Sequence, residues 1–392
     1  MDLNSLRKET PGCSNVIHLN NAGAALMPQP VIEIIQLYLR EEAEHGGYET
    51  ADKWATELSV FYDTAAQLLN TRSTNIAYTT SATDAYNLAL SSVPLKRDDV
   101  VLLSENDYPS NFITMLSLQK RLGIRLELVR NTPSGEIDLE DLERCMKQFN
   151  PRLVSLSHVP TSSGLVQPAA AVGEITRRFD TFYLLDACQS VGQMPVDAAT
   201  IQADFISGTF RKFLRGPRGT GFLYVSDRAL HEGMEPLMPD LRGADWISQF
   251  NYQPRIDAKR FELWEKSPAL MLGCREALKY VLQLGIREIE ARNALLCEYL
   301  RTELAALPGV HLMDKGAHPC SIVTFSVDGK EEAGTREHFR NLGINIHTVA
   351  KNSAVIDFQE KGVDWVMRVS PHYYNAEIEL ERFIEVMNEW IS

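Results

Sequence analysis

Between residues 75 and 225 the chain alternates short apolar runs with longer amphipathic ones, and this alternation constrains the fold more than any other feature. Ile76–Thr79, Val100–Leu103, Arg125–Val129, Leu153–Ser157, Phe182–Leu185, Phe205–Ser207 and Gly221–Val225 are rich in β-branched, aromatic and other apolar residues, which predicts strands. Asn111–Leu122, Asp138–Phe149 and Ala169–Arg178 carry apolar residues at helical spacing, and Asp138 with Asp141 three residues on predicts a helix start. Strands joined by helical crossovers form a mostly parallel sheet with helices on both faces. Such sheets bind ligands outside the carboxyl ends of their strands, so the residues just after each run are where chemistry is expected.

The pattern changes after about residue 255. A long helical stretch runs from Ala269 through Leu284 to Leu307, where Pro308-Gly309 stops it. Short strands at Ser321–Ser326 and Val366–Val369 and a last helix at Ala376–Trp390 follow, which reads as a smaller α+β domain. The expected division is a large domain over 15–255 and a smaller C-terminal domain over 256–392, with residues 1–14 packing on the latter. Pro236–Asp257 is the expected connector.

A net charge of −13 argues against nucleic acid as a partner, since phosphate neutralisation needs a basic surface. No run approaches the roughly 18 apolar residues of a membrane span, and the N-terminus has no apolar core after its charges, so no signal peptide is expected. The six cysteines are scattered without C-x-x-C spacing, which suggests neither a zinc site nor a disulfide framework. The expectation is a cytoplasmic protein with reduced thiols.

Against this acidic background the stretch "SGTFRKFLRGPRGTGFLYV", residues 207–225, sets Arg211, Lys212, Arg215 and Arg218 between two apolar runs. A solvated turn is the usual reading of a basic cluster; a bound anion or a covalently held cofactor is the sharper one. The other post-strand segments favour the second. Ser81-Ala82-Thr83 after Ile76–Thr79 suits a phosphate at a helix start, though an ordinary cap has about even standing there. Tyr108 puts an aromatic ring at the sheet edge. Asp186 ends the apolar run "FYLLD", where an unpaired carboxylate is costly and calls for a cationic partner. A phosphate cradle, a ring-stacking aromatic, a carboxylate for a heterocyclic cation and an imine-forming lysine are what pyridoxal 5′-phosphate (PLP) requires.

The motifs "HLNNAGAALMP", "TTSATDAYNLAL", "SLSHVPTSSGLVQP", "YLLDACQSVGQMPVD" and "SGTFRKFLRGPRGTGFLYV" resemble those of the class V aminotransferase group of fold-type I PLP enzymes, from about Ile17 to Asn375. That group includes cysteine desulfurases, selenocysteine lyases, C–S lyases and isopenicillin N epimerase-like proteins. The resemblance implies Lys212 as the Schiff-base lysine, Asp186 as the partner of the pyridine nitrogen and Gln189 near the phenolic oxygen. Ala82, Thr83 and Thr209 fall on the phosphate-binding positions, and Arg368 on the arginine that clamps the substrate α-carboxylate. It also implies a homodimer with a shared active site, part of it donated by Arg242–Trp246 to Arg260–Glu262, for which a plain surface loop has equal standing.

Four positions depart from the pattern. Arg211 replaces the histidine before the lysine and is read as a phosphate ligand. The stacking histidine is missing from "ENDYPSN", which leaves Tyr108, with Pro109 or Asn106 as other alignments. Thr161 stands where the group usually has an asparagine near the cofactor. Between Asn341 and Arg368 there is no cysteine, whereas desulfurases of this fold present a nucleophilic cysteine there; Cys320 reads as core. This disfavours persulfide chemistry and leaves reactions that need only Lys212: β-elimination, epimerisation or transamination. The reading is a C–S lyase on a cysteine derivative or its sulfoxide, with an aminotransferase or epimerase as the alternative. Asn21 and His45 are the expected further substrate contacts. His45 beside Gly46-Gly47 suits a pocket wall, or simply a helix C-terminus.

Overall fold

The computed structural model describes residues 1–392. Seven strands form the main sheet: β1 (Ile76–Thr79), β2 (Val100–Ser104), β3 (Arg125–Val129), β4 (Leu153–Ser157), β5 (Phe182–Asp186), β6 (Phe205–Thr209) and β7 (Gly221–Val225). Their order is β1-β7-β6-β5-β4-β2-β3. All neighbours are parallel except β7, which is antiparallel to both β1 and β6. Every predicted strand is present, and β2, β5 and β6 run one or two residues further than their apolar runs.

The reason for the continuous apolar runs is burial on both faces. All five residues of β2, β4, β5, β6 and β7 are buried, each large apolar side chain contributing about 2 kcal/mol. Strand β3 lies at one edge, where exposed Arg125 and half-buried Glu127 keep that edge from pairing further. The other edge, β1, is closed by a buried carboxylate. Glu262 accepts from Tyr78 N at 3.0 Å and Tyr62 Oη at 2.7 Å, and Lys266 pairs with it at 2.8 Å.

Helices fill the crossovers. Asp138 caps Leu139–Phe149 by accepting from Glu140 N at 2.9 Å and Asp141 N at 3.1 Å, as its position predicts. The long helical stretch breaks at Gly285, whose φ of 84° suits glycine, into Pro268–Leu284 and Ile286–Ala306. The first of these shares the core of the main sheet through Met271, Cys274, Leu278 and Val281, so the large unit extends well past residue 255. No helix is long and apolar enough to cross a membrane.

The smaller unit is a four-stranded sheet of β8 (Val310–Leu312), β9 (Val323–Val327), β10 (His347–Ala350) and β11 (Trp365–Val369), in the order β8-β9-β11-β10 and antiparallel throughout. The start of the chain is stitched to it beyond residue 14: Ile17–His18 pairs in parallel with Ile344–Asn345, and Asn20 bridges Ser370. The expected connector folds as an exposed hairpin, Ala244–Ser248 with Asn251–Pro254.

Candidate active site

The carboxyl ends of the main strands open on a cleft of about 500 Å³. Asp186 ends β5, Ser157 ends β4, Thr209 ends β6, and Ser81-Ala82-Thr83 follows β1; all of them line the cleft. The loop after β6 brings Lys212 to the same place, 6% exposed, with its Nζ 5.9 Å from the centre of the Tyr108 ring. Burial pulls the Lys212 ammonium down to about 8. The repulsion of Arg211 and Arg368 adds to this, and Cys188 and Asp186 offset part of it. About one chain in ten then carries a neutral amine there at pH 7, a state a nucleophilic lysine needs.

The four cations of the basic stretch at residues 207–225 part company. Lys212 and Arg211 line the cleft. Arg215 is fully buried at a φ of 59°, its guanidinium 4.3 Å from the Tyr374 ring centre and 5.1 Å from that of Tyr373, donating to Leu26 O, Tyr373 Oη and Thr10 Oγ1. Arg218 is exposed. The stretch is therefore half site and half fold.

Asp186 is held by two donors, Asn111 Nδ2 at 3.0 Å and the Cys188 amide at 2.9 Å. The turn after β1 is an anion cradle. Ser81 Oγ accepts from Asp84 N and Ser81 O from Ala85 N, leaving the first N–H groups of the helix Ala82–Ser92, at Ala82 and Thr83, without intrahelical partners. A Cβ on Gly221 would stand 2.5 Å from the Ser81 carbonyl carbon, so only glycine lets β7 support this turn so closely. Gln189 donates to Ala22 O at 3.2 Å, while its Oε1 is buried without a partner. A buried lysine, a fixed carboxylate, a helix N-terminus and an orphaned amide oxygen suit the amine-binding aldehyde, ring nitrogen, phosphate and phenolic group of PLP.

Arg368, on β11, reaches the cleft from the smaller unit through Thr161, which lines it. It is buried and pairs with no carboxylate. Nη1 donates to Thr161 Oγ1 at 2.6 Å and Thr161 O at 3.2 Å, and Nη2 to Asn20 Oδ1 at 3.4 Å, while Nε has no partner. Burial, with the repulsion of Arg211, brings its guanidinium down to about 10. An anion at this position would relieve that cost. His347 is its register partner on β10, and burial together with Arg368 pushes that imidazole down to about 4.

Two expected contacts, Asn21 and His45, fall elsewhere, and two more, Thr161 and Arg211, line the cleft with their polar groups already engaged. Asn21 is fully buried and serves packing: it donates to Ser370 O at 2.8 Å and accepts from Tyr374 Oη at 2.5 Å, while its neighbour Asn20 reaches Arg368. His45 ends the exposed face of helix Gln29–His45, capped by Gly46 at a φ of 98°, and does not line the cleft. Thr161 lines the cleft but spends its hydroxyl on Arg368. Arg211 turns its guanidinium onto Gly23 O, and Ala25 N donates to Arg211 O at 2.8 Å.

Sequence reading missed Asn111, Asp107, Cys188 and His347. Asn111 sits three residues after Tyr108, one helical turn, a spacing that could have flagged it. The segment between β10 and β11 holds no cysteine and folds as the helix Val355–Lys361. There Lys361 pairs with Asp357 at 2.7 Å, both nearly buried, and donates to Ser162 O at 3.3 Å. Cys320 is buried in a small apolar cluster.

The family described as aminotransferase class-V matches residues 17–383. A probable cysteine desulfurase of Methanothermobacter thermautotrophicus is 25% identical over 99% of this chain and 98% of its own length. A probable hercynylcysteine sulfoxide lyase of Mycobacterium tuberculosis is 27% identical over 95% of this chain and 89% of its own. Among solved structures, a C-DES variant with glycine covalently linked to the PLP cofactor has the same fold, with a TM-score of 0.87 at 22% identity over 98% of this chain and 99% of that one.

Proposed function

This chain belongs to the aminotransferase class-V family and is a PLP-dependent enzyme, and from that premise we propose that it is a C–S lyase. Its reaction is β-elimination on a cysteine derivative or its sulfoxide. The observation that carries this reading is the thiol-free segment leading into β11: where a persulfide-forming enzyme needs a mobile cysteine, this chain has a packed helix anchored by Lys361. The name of the mycobacterial relative, a sulfoxide lyase, points the same way, while the desulfurase name of the archaeal one suits the sulfur-bearing substrate rather than the persulfide step.

PLP supplies an electron-accepting ring that acidifies the α-proton. The rest falls to the chain. Arg368 takes the α-carboxylate through its free Nε and the Nη2 it now shares with Asn20. Asp186, fixed by Asn111 and Cys188, would hold the ring nitrogen of PLP in its protonated form. Tyr108 covers one side of the cleft beside Lys212. Lys212 Nζ removes the Cα proton, the Cα–H electrons form the new Cα=Cβ bond, and the Cβ–S pair leaves with the sulfur as thiolate or sulfenate. Water then releases pyruvate and ammonia.

The working unit is a homodimer. In one chain the hairpin leaves Phe250 92% and Trp246 77% exposed, with Ile256 beside it, an apolar surface of the kind that marks an interface. Six cysteines without a disulfide suit a cytoplasmic setting.

Incubating the enzyme with S-substituted cysteines and their sulfoxides tests the reaction. Pyruvate formed without an added keto acid supports elimination. Turnover that appears only with a keto acid, or α-proton exchange without cleavage, replaces it with transamination or epimerisation.

A further inference from the structure

Behind Asp186 lies a second carboxylate that the reaction as described leaves unused. Asp107 precedes the helix Pro109–Leu122, is 5% exposed and has no cationic partner. Its Oδ1 accepts from Tyr108 N at 2.7 Å, Asn111 Nδ2 at 3.0 Å and Ser157 Oγ at 2.5 Å, and its Oδ2 from Ser155 Oγ at 3.2 Å. Ser155 in turn meets Tyr86 Oη at 2.7 Å. The same Asn111 nitrogen donates to Asp186 Oδ2 at 3.0 Å. One buried amide thus spans two buried carboxylates.

An acid ahead of a helix is usually there to cap it. Asp107 does not: the helix Pro109–Leu122 has no side-chain cap, and the carboxylate spends its oxygens on Asn111, two serines and the Tyr108 amide. Ser155 and Ser157 point to it from alternate positions of β4, and Ser157 is the register partner of Asp186 on β5. Of the four groups bound to Asp107, Tyr108 and Ser157 line the cleft and Asn111 holds Asp186, which does.

We propose that Asp107 is a positioning residue for the cofactor's ring: through Asn111 it fixes the Asp186 carboxylate, and through the Tyr108 amide it fixes the aromatic ring beside Lys212. The physical argument has two parts. Asn111 could rotate its amide and offer oxygen rather than N–H to Asp186; an acceptor at Asp107 forbids this, because only the NH2 group can satisfy both carboxylates. A second buried acceptor without a cation also adds negative potential behind Asp186, which strengthens its hold on a protonated ring nitrogen. Burial pushes the Asp107 carboxyl up, with the serine and asparagine donors opposing that shift and Asp186 adding to it. This inference rests on Asp186 facing the ring nitrogen, and not on which bond of the substrate is broken.

A double-mutant cycle between Asp107→Asn and Asp186→Asn tests it, read by cofactor affinity, cofactor absorption and turnover. Asp107→Asn keeps size and shape, and thermal melting of the apoproteins checks the fold. The expected result is an about tenfold or greater rise in the dissociation constant of PLP from the apoprotein, a shifted cofactor absorption maximum, and a loss of kcat/KM of about 10–100-fold. In the Asp186→Asn background the same change should cost clearly less, because the route through Asn111 is cut and only the one through the Tyr108 amide remains. Asn111→Ala should reproduce the spectral shift. If Asp107→Asn leaves affinity and absorption unchanged, or costs the same factor in both backgrounds, the proposal is wrong and Asp107 is merely structural. Should Asp107→Asn not fold, Ser157→Ala, which removes one donor, serves in the same cycle with the same criteria. A failed lyase assay would not touch this outcome, since affinity and absorption are read without substrate.

Discussion

Arg368 and Thr161 meet between the two sheets, Nη1 of the arginine donating to both the hydroxyl, at 2.6 Å, and the carbonyl, at 3.2 Å, of the threonine. One end of the guanidinium is thereby spent on holding it in place, and Nε and Nη2 stay available for a carboxylate. Arg368→Lys keeps the charge but loses the fork. It should raise KM for amino-acid substrates by about 100-fold with a smaller change in kcat, whereas Thr161→Val should raise KM by about tenfold or less. Steady-state kinetics with one S-substituted cysteine decides it; an unchanged KM in Arg368→Lys would remove Arg368 from substrate binding.

Lys212 gives a pH prediction with a definite sign. Its folded value of about 8 means that the neutral amine grows with pH up to that point and saturates above it. Capture of PLP by the apoprotein, followed by the appearance of the lysine-bound band, should speed up about tenfold per pH unit below 8 and level off above it. Lys212→Ala should yield no borohydride-fixed cofactor. Lys259, whose Nζ lies 4.2 Å from the centre of the Tyr62 ring, should not take its place. A fixed adduct at Lys259 would reassign the lysine.

The exposed hairpin predicts self-association. Sedimentation of the wild type should give a dimer, and Trp246→Arg with Phe250→Asp should shift it towards monomer and lower activity together. A fully active monomer would end the dimer reading.

Arg215 predicts a stability effect without chemistry. Replacing it by Ala removes donors from Leu26 O, Tyr373 Oη and Thr10 Oγ1 and empties a cage of tyrosine rings. Denaturant unfolding should show a loss of about 3 kcal/mol. A variant as stable as the wild type would mean that water fills the cage at no cost.

What could be read from the sequence follows from how a parallel sheet is built. Its central strands are buried on both faces and appear as unbroken apolar runs, so their ends, and with them Asp186, Thr209 and Lys212, could be located to within a residue or two. The smaller unit was harder: β10, "HTVA", is too short and too mixed to stand out, and His347 went unnoticed with it. Asn20 and Asn21 show the limit most plainly. Two identical neighbours at the start of a turn make different contacts, Asn20 with Arg368 and Asn21 with Ser370 and Tyr374, and nothing in their identity says which one reaches the arginine. His45 lies off the cleft of its own chain for another reason, since a histidine before two glycines is also how a helix ends. Asp107 hid in a polar loop, and only the fold reveals that its side-chain partners Asn111, Ser155 and Ser157 are buried.

The turn from Asn20 to Gly23 links two guanidinium groups: Arg368 Nη2 rests on the Asn20 side chain, and Arg211, the residue before Lys212, rests on Gly23 O. Gly23 N and Ala24 N both donate to Asn20 O at 3.0 Å, which makes the link a single tight turn rather than a slack strand. A carboxylate that draws Nη2 away from Asn20 therefore loosens the anchor of the peptide next to the catalytic amine. A carboxylate arriving at Arg368 would thus act on one end of a four-residue turn whose other end holds the residue beside Lys212.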